Sequence, residues 1–257
     1  MSEQLILCDN VSLTLPVRNT KPNYAAKAIA SAFTGGILKG NSRSASISAL
    51  SNITLEIKEG ERIALIGHNG AGKTTFLRLI SGIFAPTEGN LFIKRYATPL
   101  IDKSFIIDPD LTGYEVCTAH YLKSWGSKSF LKRKSEGGSH YDLFLKDILD
   151  FSELGEFMST PVSSYSDGMK TRLMFALITS FSHPLLAMDE GIAAGDRFFM
   201  DRANKRFEEF LSETSTLILA SHDEALLRRF TKRGIVFEKG RCIFDGSLSD
   251  ALEFYAS

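Results

Sequence analysis

The 257-residue sequence lacks several features that would assign it to a specialised class of protein. Its three cysteines, Cys8, Cys117 and Cys242, are too far apart for a disulfide framework or a C-x-x-C metal or redox site. No apolar run approaches the ~20 residues of a membrane-spanning helix, and the N-terminus has no basic and apolar leader pattern. Since 30 Lys and Arg balance 30 Asp and Glu, the chain also lacks the basic excess typical of nucleic-acid binders. These absences predict a chain in a reducing compartment that neither crosses a membrane nor binds nucleic acid.

What is present is an ordinary globular composition, with 44% hydrophobic and 23% charged residues. The hydrophobic pattern alternates between strand-like and helix-like segments, which predicts an α/β core with parallel strands. A segment at 17–48, rich in Ala, Ser, Gly, Asn and Lys, interrupts the pattern and is interpreted as an insertion with a short helix at 24–33. A second segment at 111–161 is mostly helical, and its basic stretch at 128–134 is interpreted as a solvated loop. Strands are predicted at 5–15, ending at Pro16, and at 53–57, 62–66, 185–188 and 216–220; helices are predicted at 75–81, 173–178, 199–210 and 250–255.

A glycine-rich loop follows the predicted strand at 62–66. It reads GHNGAGKT, matches G-x-x-x-x-G-K-[ST] and precedes a helix, which is the context that supports a phosphate-binding loop. Its N–H groups and the helix N-terminus favour an anion, Lys73 is predicted to reach the β and γ phosphates, and Thr74 to ligate Mg²⁺. The predicted nucleotide-binding residues are Gly67, His68, Asn69, Gly70, Ala71, Gly72, Lys73, Thr74 and Thr75.

Two adjacent carboxylates, Asp189 and Glu190, end the predicted strand at 185–188. At the carboxyl edge of a parallel sheet both can approach the phosphate loop. Asp189 is then expected to hold the Mg²⁺ shell through water, and Glu190 to orient or deprotonate the attacking water. The alternative is that the two acids simply begin a loop and have no catalytic role. The presence of Lys73 upstream favours the catalytic interpretation over this alternative.

Two further sites have simple structural explanations of their own. Ser166, before an apolar helical run, is a good N-cap, and Gly168 beside it permits close backbone approach. His222 follows the strand at 216–220, where a histidine is usually structural, although this position also allows a hydrogen bond to a γ-phosphate.

Taken in order, the motifs GHNGAGKTT, YSDGM, LLAMDE, AAGD and ASHD resemble the Walker A, signature, Walker B, D-loop and switch-histidine motifs of ABC-type ATPases. The residues within these motifs are most similar to those of ATP-binding subunits of bacterial polysaccharide exporters for O-antigen, capsule or teichoic acid. The signature YSDGM, the LTG at 111–113 and DEGIAAGD at 189–196 carry this finer resemblance.

The resemblance implies a P-loop NTPase fold of the ABC type over residues 1–257. Such a fold has a RecA-like parallel-sheet core, an antiparallel β portion and a helical subdomain, here at about 111–165. Because the chain ends at residue 257, no C-terminal carbohydrate-binding module is expected.

The resemblance also implies partners and a location. Two copies are expected to form a homodimer in which each ATP lies between the phosphate loop of one and Ser166 and Gly168 of the other, with Asp196 in the D-loop. The polysaccharide cargo is expected to pass through two copies of a separate polytopic membrane subunit. The chain itself is expected on the cytoplasmic face of the bacterial membrane, attached through that subunit.

Two departures from the family pattern stand out. The glutamine that normally contacts Mg²⁺ and water is missing, since Gln4 is the only glutamine, and Asp102 in the stretch 101–104 is a hypothetical substitute. The aromatic residue that normally stacks on adenine is also missing, because no aromatic precedes Tyr24; Leu15 or Pro16 is expected to give apolar contact only.

Three alternatives stay open. One is an ABC ATPase subunit for another cargo. Another is a soluble ABC-type ATPase acting on nucleic acid or ribosomes, for which paired ATP domains, long coiled-coil arms or a basic surface would be expected. A small-molecule kinase would leave the signature and His222 unexplained.

Overall fold

A computed structural model describes residues 3–17, 38–39, 45–100, 108–125, 140–181, 183–189 and 197–257. The chain divides into two compact units. The core unit comprises Met1–Ile101, Leu185–Glu190 and Ser215–Ser257, and the helical unit comprises Asp102–Pro184 and Gly191–Thr214.

The described elements are mostly strands in the core unit and helices in the helical unit. The strands are β1 (Gln4–Val17), β2 (Leu38–Lys39), β3 (Ala45–Lys58), β4 (Arg62–Ile66), β5 (Glu88–Ile93), β6 (Thr98–Leu100), β7 (Leu185–Met188), β8 (Thr216–Ala220), β9 (Arg233–Glu238) and β10 (Arg241–Ser247). The helices are α1 (Lys73–Ile80), α2 (Gly113–Trp125), α3 (His140–Ser152), α4 (Asp167–Thr179), α5 (Arg197–Glu213), α6 (Glu224–Phe230) and α7 (Leu248–Ala256), with two 3₁₀ turns at Gly155–Ser159 and Val162–Ser164.

The six-stranded sheet of the core unit has the order β10-β9-β4-β8-β7-β6. All neighbouring pairs are parallel except β9 and β10, which form an antiparallel hairpin at one edge. β7 and β8 are buried along their whole length, as expected of strands covered on both faces. The predicted parallel core and its strands at 62–66, 185–188 and 216–220 are confirmed.

The four-stranded sheet has the order β2-β3-β1-β5 and is antiparallel. The prediction that Pro16 ends the first strand is wrong, because β1 continues to Val17 and Pro16 pairs with Ser46. The described β5 pairs with β1 only as far as Ser12, so Pro16 lies where β1 has one described neighbour. Proline tolerates such a position, because its missing N–H can face the unpaired side.

The hydrophobic core of this unit joins both sheets to α1. Phe76 of α1 and Phe237 of β9 are both fully buried, with ring centroids 5.2 Å apart. Fully burying one such side chain contributes about 1.5–3 kcal/mol. This core therefore fixes α1 against the end of the sheet where the glycine-rich loop lies.

The three cysteines are free, as their spacing predicts. Burial raises the pKa of the Cys8 and Cys117 thiols to about 12 and that of Cys242 to about 11. The thiols therefore stay protonated at neutral pH and act as packing groups.

The helical unit has its own core, formed by α2 to α5. The amphipathic helix predicted at 199–210 is α5, which buries Ala203 and Phe210. Arg206 of α5 donates two hydrogen bonds to the Asp147 carboxylate of α3, at 2.9 and 2.6 Å. Its guanidinium lies 4.4 Å from the ring centroid of Phe151, so one arginine joins a bidentate ion pair to a cation–π contact.

Two predicted segments fall outside the described residues, the helix at 24–33 and the basic loop at 128–134. The described part of the insertion supplies β2 and the start of β3. Within the described ranges, no helix combines the length and apolar character needed to cross a membrane.

Candidate nucleotide-binding site

The glycine-rich loop connects the buried strand β4 to helix α1, as the sequence predicts. Gly67 and Gly72 have φ angles of 147° and 110°, a region that side-chain-bearing residues rarely adopt. A Cβ at Gly67 would lie 2.3 Å from the Phe237 carbonyl oxygen, so this position also has no room for a side chain. The glycines therefore let the loop curl tightly against β9.

Lys73, the first residue of α1, folds back into this loop. Its side chain is buried, with 7% exposed, and its Nζ donates to the carbonyl oxygens of Gly67 and His68, the latter at 3.1 Å. An ammonium held inside a loop of backbone amides at a helix N-terminus makes a site for an anion.

Thr74 and Asp189 come together although 115 residues separate them. The Thr74 hydroxyl donates to Asp189 Oδ2. The Asp189 N–H bonds the Leu100 carbonyl at 3.1 Å, which extends the pairing of β7 with β6 by one residue. Hard oxygen donors of this kind suit Mg²⁺, so these two residues are the ones that could hold it. Across the described residues, no group of three or more His, Cys, Asp or Glu side chains could form a metal cage.

His222, two residues beyond the end of β8, also reaches this loop. Its Nε2 lies 3.1 Å from the Asn69 side-chain oxygen. The structure therefore brings His222 to the predicted phosphate site. The sequence did not show that Asn69 of the loop is its partner there.

Several predicted site residues lie outside the described residues: Glu190, which directly follows Asp189, as well as Asp196, Asp102 and Tyr24. Of the two residues expected near adenine, Leu15 packs partly buried against the core, while Pro16 is exposed.

The signature residues belong to the helical unit. Ser166 is the N-cap of α4, as predicted, because its Oγ accepts a hydrogen bond from the Met169 N–H at 3.2 Å. Among the described residues, a Cβ at Gly168 would touch only the Ser166 hydroxyl, at 3.8 Å, so the described backbone leaves room for close approach.

The LTG segment at 111–113 packs against the chain just before the signature. The Leu111 carbonyl accepts from the Val162 N–H at 2.9 Å. A Cβ at Gly113 would lie 2.6 Å from the Tyr165 hydroxyl, which explains why the third residue is glycine. The LTG and the signature, which the resemblance treated as separate features, are therefore in contact.

Comparisons with known proteins identify the family of this chain and agree with its fold. The profile of the ABC transporter family matches residues 50–193. The O-antigen export system ATP-binding protein RfbE of Yersinia enterocolitica is 32% identical over 236 residues, which are 91% of this chain and 95% of that protein. The teichoic acids export ATP-binding protein TagH of Lactococcus lactis is 35% identical over 192 residues, which are 75% of this chain but 39% of TagH. The chain belongs to the ABC transporter family and is an ABC-type ATPase, as its motifs predict.

Two solved structures show the same fold. The ATP-binding subunit of an ABC transporter has a TM-score of 0.63 at 21% identity and covers 98% of this chain and 93% of that one. The ATP-binding cassette MJ0796, in a dimeric post-hydrolysis state bound to ADP and Pi, has a TM-score of 0.60 at 22% identity, covering 95% and 99%. At these identities the likeness concerns the fold, and it confirms the predicted α/β P-loop class.

Sequence reasoning missed the backbone that supports the phosphate loop. The β9–β10 hairpin lies beneath the loop, where the Gly240 N–H donates to the Ala71 carbonyl at 2.8 Å. The local signal was a single glycine, Gly240, between two strand-like segments, a residue favoured in two-residue hairpin turns. Nothing in that signal says which loop the turn contacts.

Proposed function

We propose that this chain is the ATP-hydrolysing motor subunit of an ABC exporter that moves a cell-surface polysaccharide across the cytoplasmic membrane. The observation that carries the proposal is the meeting of Lys73, the Thr74–Asp189 pair and His222 at one phosphate loop. The cargo class, an O-antigen, capsule or similar glycan, is supported by the relatives, which are ATP-binding proteins of O-antigen and teichoic acid export systems.

The phosphate loop binds ATP through the residues from Gly67 to Thr75. Their backbone N–H groups and the N-terminus of α1 face the phosphates, and the Lys73 ammonium contacts the β and γ phosphates. The Thr74 hydroxyl and the Asp189 carboxylate hold Mg²⁺. When bound, the ion neutralises charge on the phosphate oxygens.

Two residues act on hydrolysis itself. Glu190 orients and deprotonates the attacking water, because it directly follows Asp189 at the end of β7. His222 lies beside the loop with its Nε2 3.1 Å from the Asn69 side-chain oxygen, and in the ATP-bound chain this N–H donates to a γ-phosphate oxygen instead.

A second copy of the chain completes each ATP site. The N-terminus of α4, capped by Ser166 and opened by Gly168, contributes its positive dipole end to the γ-phosphate bound by the partner copy. Asp196 belongs to the D-loop of the same dimer interface. ATP then links the two copies, so that binding closes the homodimer and hydrolysis opens it.

The work of transport falls to a polytopic membrane subunit, present in two copies, that this chain binds from the cytoplasmic face. Closure of the ATP-bound dimer drives that subunit only if ATP binds the closed state more tightly than the open one.

The proposal predicts the loss of one surface polysaccharide when ATP binding is blocked. In the native bacterium, Lys73→Met should remove the exported glycan from the cell surface and leave its precursor inside the cell. Lys94→Met, at an exposed lysine of the core unit, is the control and should leave the surface glycan unchanged. The measurement is the amount of each surface polysaccharide against the cytoplasmic precursor pool, and an unchanged set of surface glycans in Lys73→Met would reject the cargo class.

A further inference from the structure

The turn of the β9–β10 hairpin has an unusual backbone. Lys239 and Gly240, between Glu238 and Arg241, both have positive φ angles, 47° and 75°. This pair of angles is typical of a two-residue I′ turn, which matches the twist of the strands it joins. The turn thus has a defined shape that can present its backbone groups in fixed directions.

This turn lies between the phosphate loop and the antiparallel sheet. The Gly240 N–H donates to the Ala71 carbonyl of the loop at 2.8 Å, and the Gly240 carbonyl accepts from the Ser51 N–H at 2.8 Å. One peptide segment therefore joins the loop to strand β3. A Cβ at Gly72 would lie 3.1 Å from the Gly240 Cα, so the two backbones are in close contact.

The hairpin also supports the other end of the loop. Gly67 approaches the Phe237 carbonyl so closely that a Cβ would lie 2.3 Å from that oxygen. Phe237 is fixed in turn by its burial and by its ring contact with Phe76 of α1. The hairpin backbone therefore contacts the phosphate loop near both of its ends.

The bond from Gly240 to Ala71 decides which way an amide of the loop points. In a planar trans peptide the C=O of one residue and the N–H of the next point in opposite directions, and no described peptide is cis. Because the Ala71 carbonyl points to the hairpin, the Gly72 N–H points away from it. That is the side on which a phosphate can bind, since the hairpin backbone closes the other.

We propose that Gly240 is a positioning residue for nucleotide binding, which holds the Ala71–Gly72 peptide so that its N–H faces the phosphates of ATP. This inference rests on the proposed function, since it assumes that the loop binds ATP. It assigns a role to a hairpin turn that carries none of the motifs.

Glycine is required at position 240 for a reason separate from its φ angle. A Cβ there would lie 2.5 Å from the Ala49 carbonyl oxygen and 3.2 Å from the Leu50 Cα. Both are backbone atoms of β3, so the turn itself has to move. Because the turn lies between β3 and the loop, a shift away from β3 displaces the Gly240 N–H against the Ala71 carbonyl and changes the orientation of the Ala71–Gly72 peptide.

Gly60→Ala provides a matched control. Gly60 lies in another turn of the core unit with a φ of 84°, close to that of Gly240, but a Cβ there would meet no atom of the described residues within 4 Å. The two alanine variants therefore share the strain of a positive φ, and only Gly240→Ala displaces the backbone beneath the loop.

The test compares ATP affinity in these two variants. Gly240→Ala should weaken ATP binding by about tenfold to a hundredfold, the effect of one lost hydrogen bond to a charged group, while Gly60→Ala should bind within about threefold of wild type. KM should rise in Gly240→Ala with kcat nearly unchanged, because a binding contact is lost. A fold that is merely destabilised lowers the active fraction, and so kcat, without raising Kd.

Three outcomes separate the inference from the proposed function. If Gly240→Ala binds ATP as Gly60→Ala does, the inference is wrong and the proposed function stands. If wild type and Gly60→Ala bind no ATP, both fail. Should Gly240→Ala not fold, insertion of one glycine between Lys239 and Gly240 lengthens the turn without adding a Cβ; reduced ATP affinity then supports the inference, and wild-type affinity overturns it.

Discussion

Replacing Lys73 with methionine is expected to weaken ATP binding at least about a hundredfold and to abolish measurable hydrolysis. Hydrogen bonds to charged groups contribute about 1.5–3 kcal/mol each, and the ammonium is proposed to contact two phosphates. Methionine keeps most of the apolar stem of a side chain that is 7% exposed, so the packing beneath the loop survives. Equilibrium binding of ATP and the rate of phosphate release measure the two effects.

A matched lysine controls for the loss of charge. Lys94 lies just beyond β5 in the core unit, with 47% of its side chain exposed and an ion pair to Glu3. Lys94→Met should bind and hydrolyse ATP as wild type does. ATP affinity in Lys73→Met within threefold of wild type would remove Lys73 from the phosphate site.

Glu190→Gln should lower the turnover number by about 10²- to 10⁴-fold while ATP binding is retained, since a general base typically contributes this much. Glutamine keeps the size of the side chain but cannot accept the proton of the attacking water. Because hydrolysis is proposed to open the dimer, this variant should accumulate as a homodimer in ATP and Mg²⁺. Single-turnover hydrolysis and light scattering measure the two effects.

The neighbouring carboxylate provides the contrast. Asp189 bonds the Thr74 hydroxyl and is proposed to hold Mg²⁺, so Asp189→Asn should raise the Mg²⁺ concentration needed for half-maximal ATP binding. Glu190→Gln should leave that concentration unchanged. Wild-type turnover in Glu190→Gln would exclude Glu190 as the base.

The parts of the fold that follow a local pattern were predictable. The buried strands β4, β7 and β8 are continuous apolar runs, and the glycine-rich loop has its lysine and threonine at the spacing that phosphate binding requires. The carboxyl edge of the predicted parallel sheet brought Asp189 near the phosphate loop, whereas its hydrogen bond with Thr74 follows from no local pattern. The end of β1 was mispredicted at Pro16. A proline is tolerated there because β5 stops pairing with β1 before this position, and this depends on the arrangement of the sheet rather than on the local sequence.

The support beneath the site could not be predicted in the same way. The hydrogen bond from Gly240 to Ala71 joins backbone groups 169 residues apart. Nearly every residue has the same backbone groups, so the side chains in the sequence do not show which of them pair. The contact of Gly113 with Tyr165 is likewise steric, and a sequence shows a glycine without showing what replaces its Cβ. Residues of this kind become visible only when the chain is folded.

The most direct test of the transport function is to purify the Glu190→Gln chain from its native cells in mild detergent with ATP and Mg²⁺ and to identify the proteins bound in equal amount. If the chain is an exporter motor, one multi-span membrane protein should copurify in a one-to-one ratio, and its deletion should remove the same surface glycan that Lys73→Met removes. A homodimer without a membrane partner, or one that brings ribosomes or nucleic acid, would contradict the transport function.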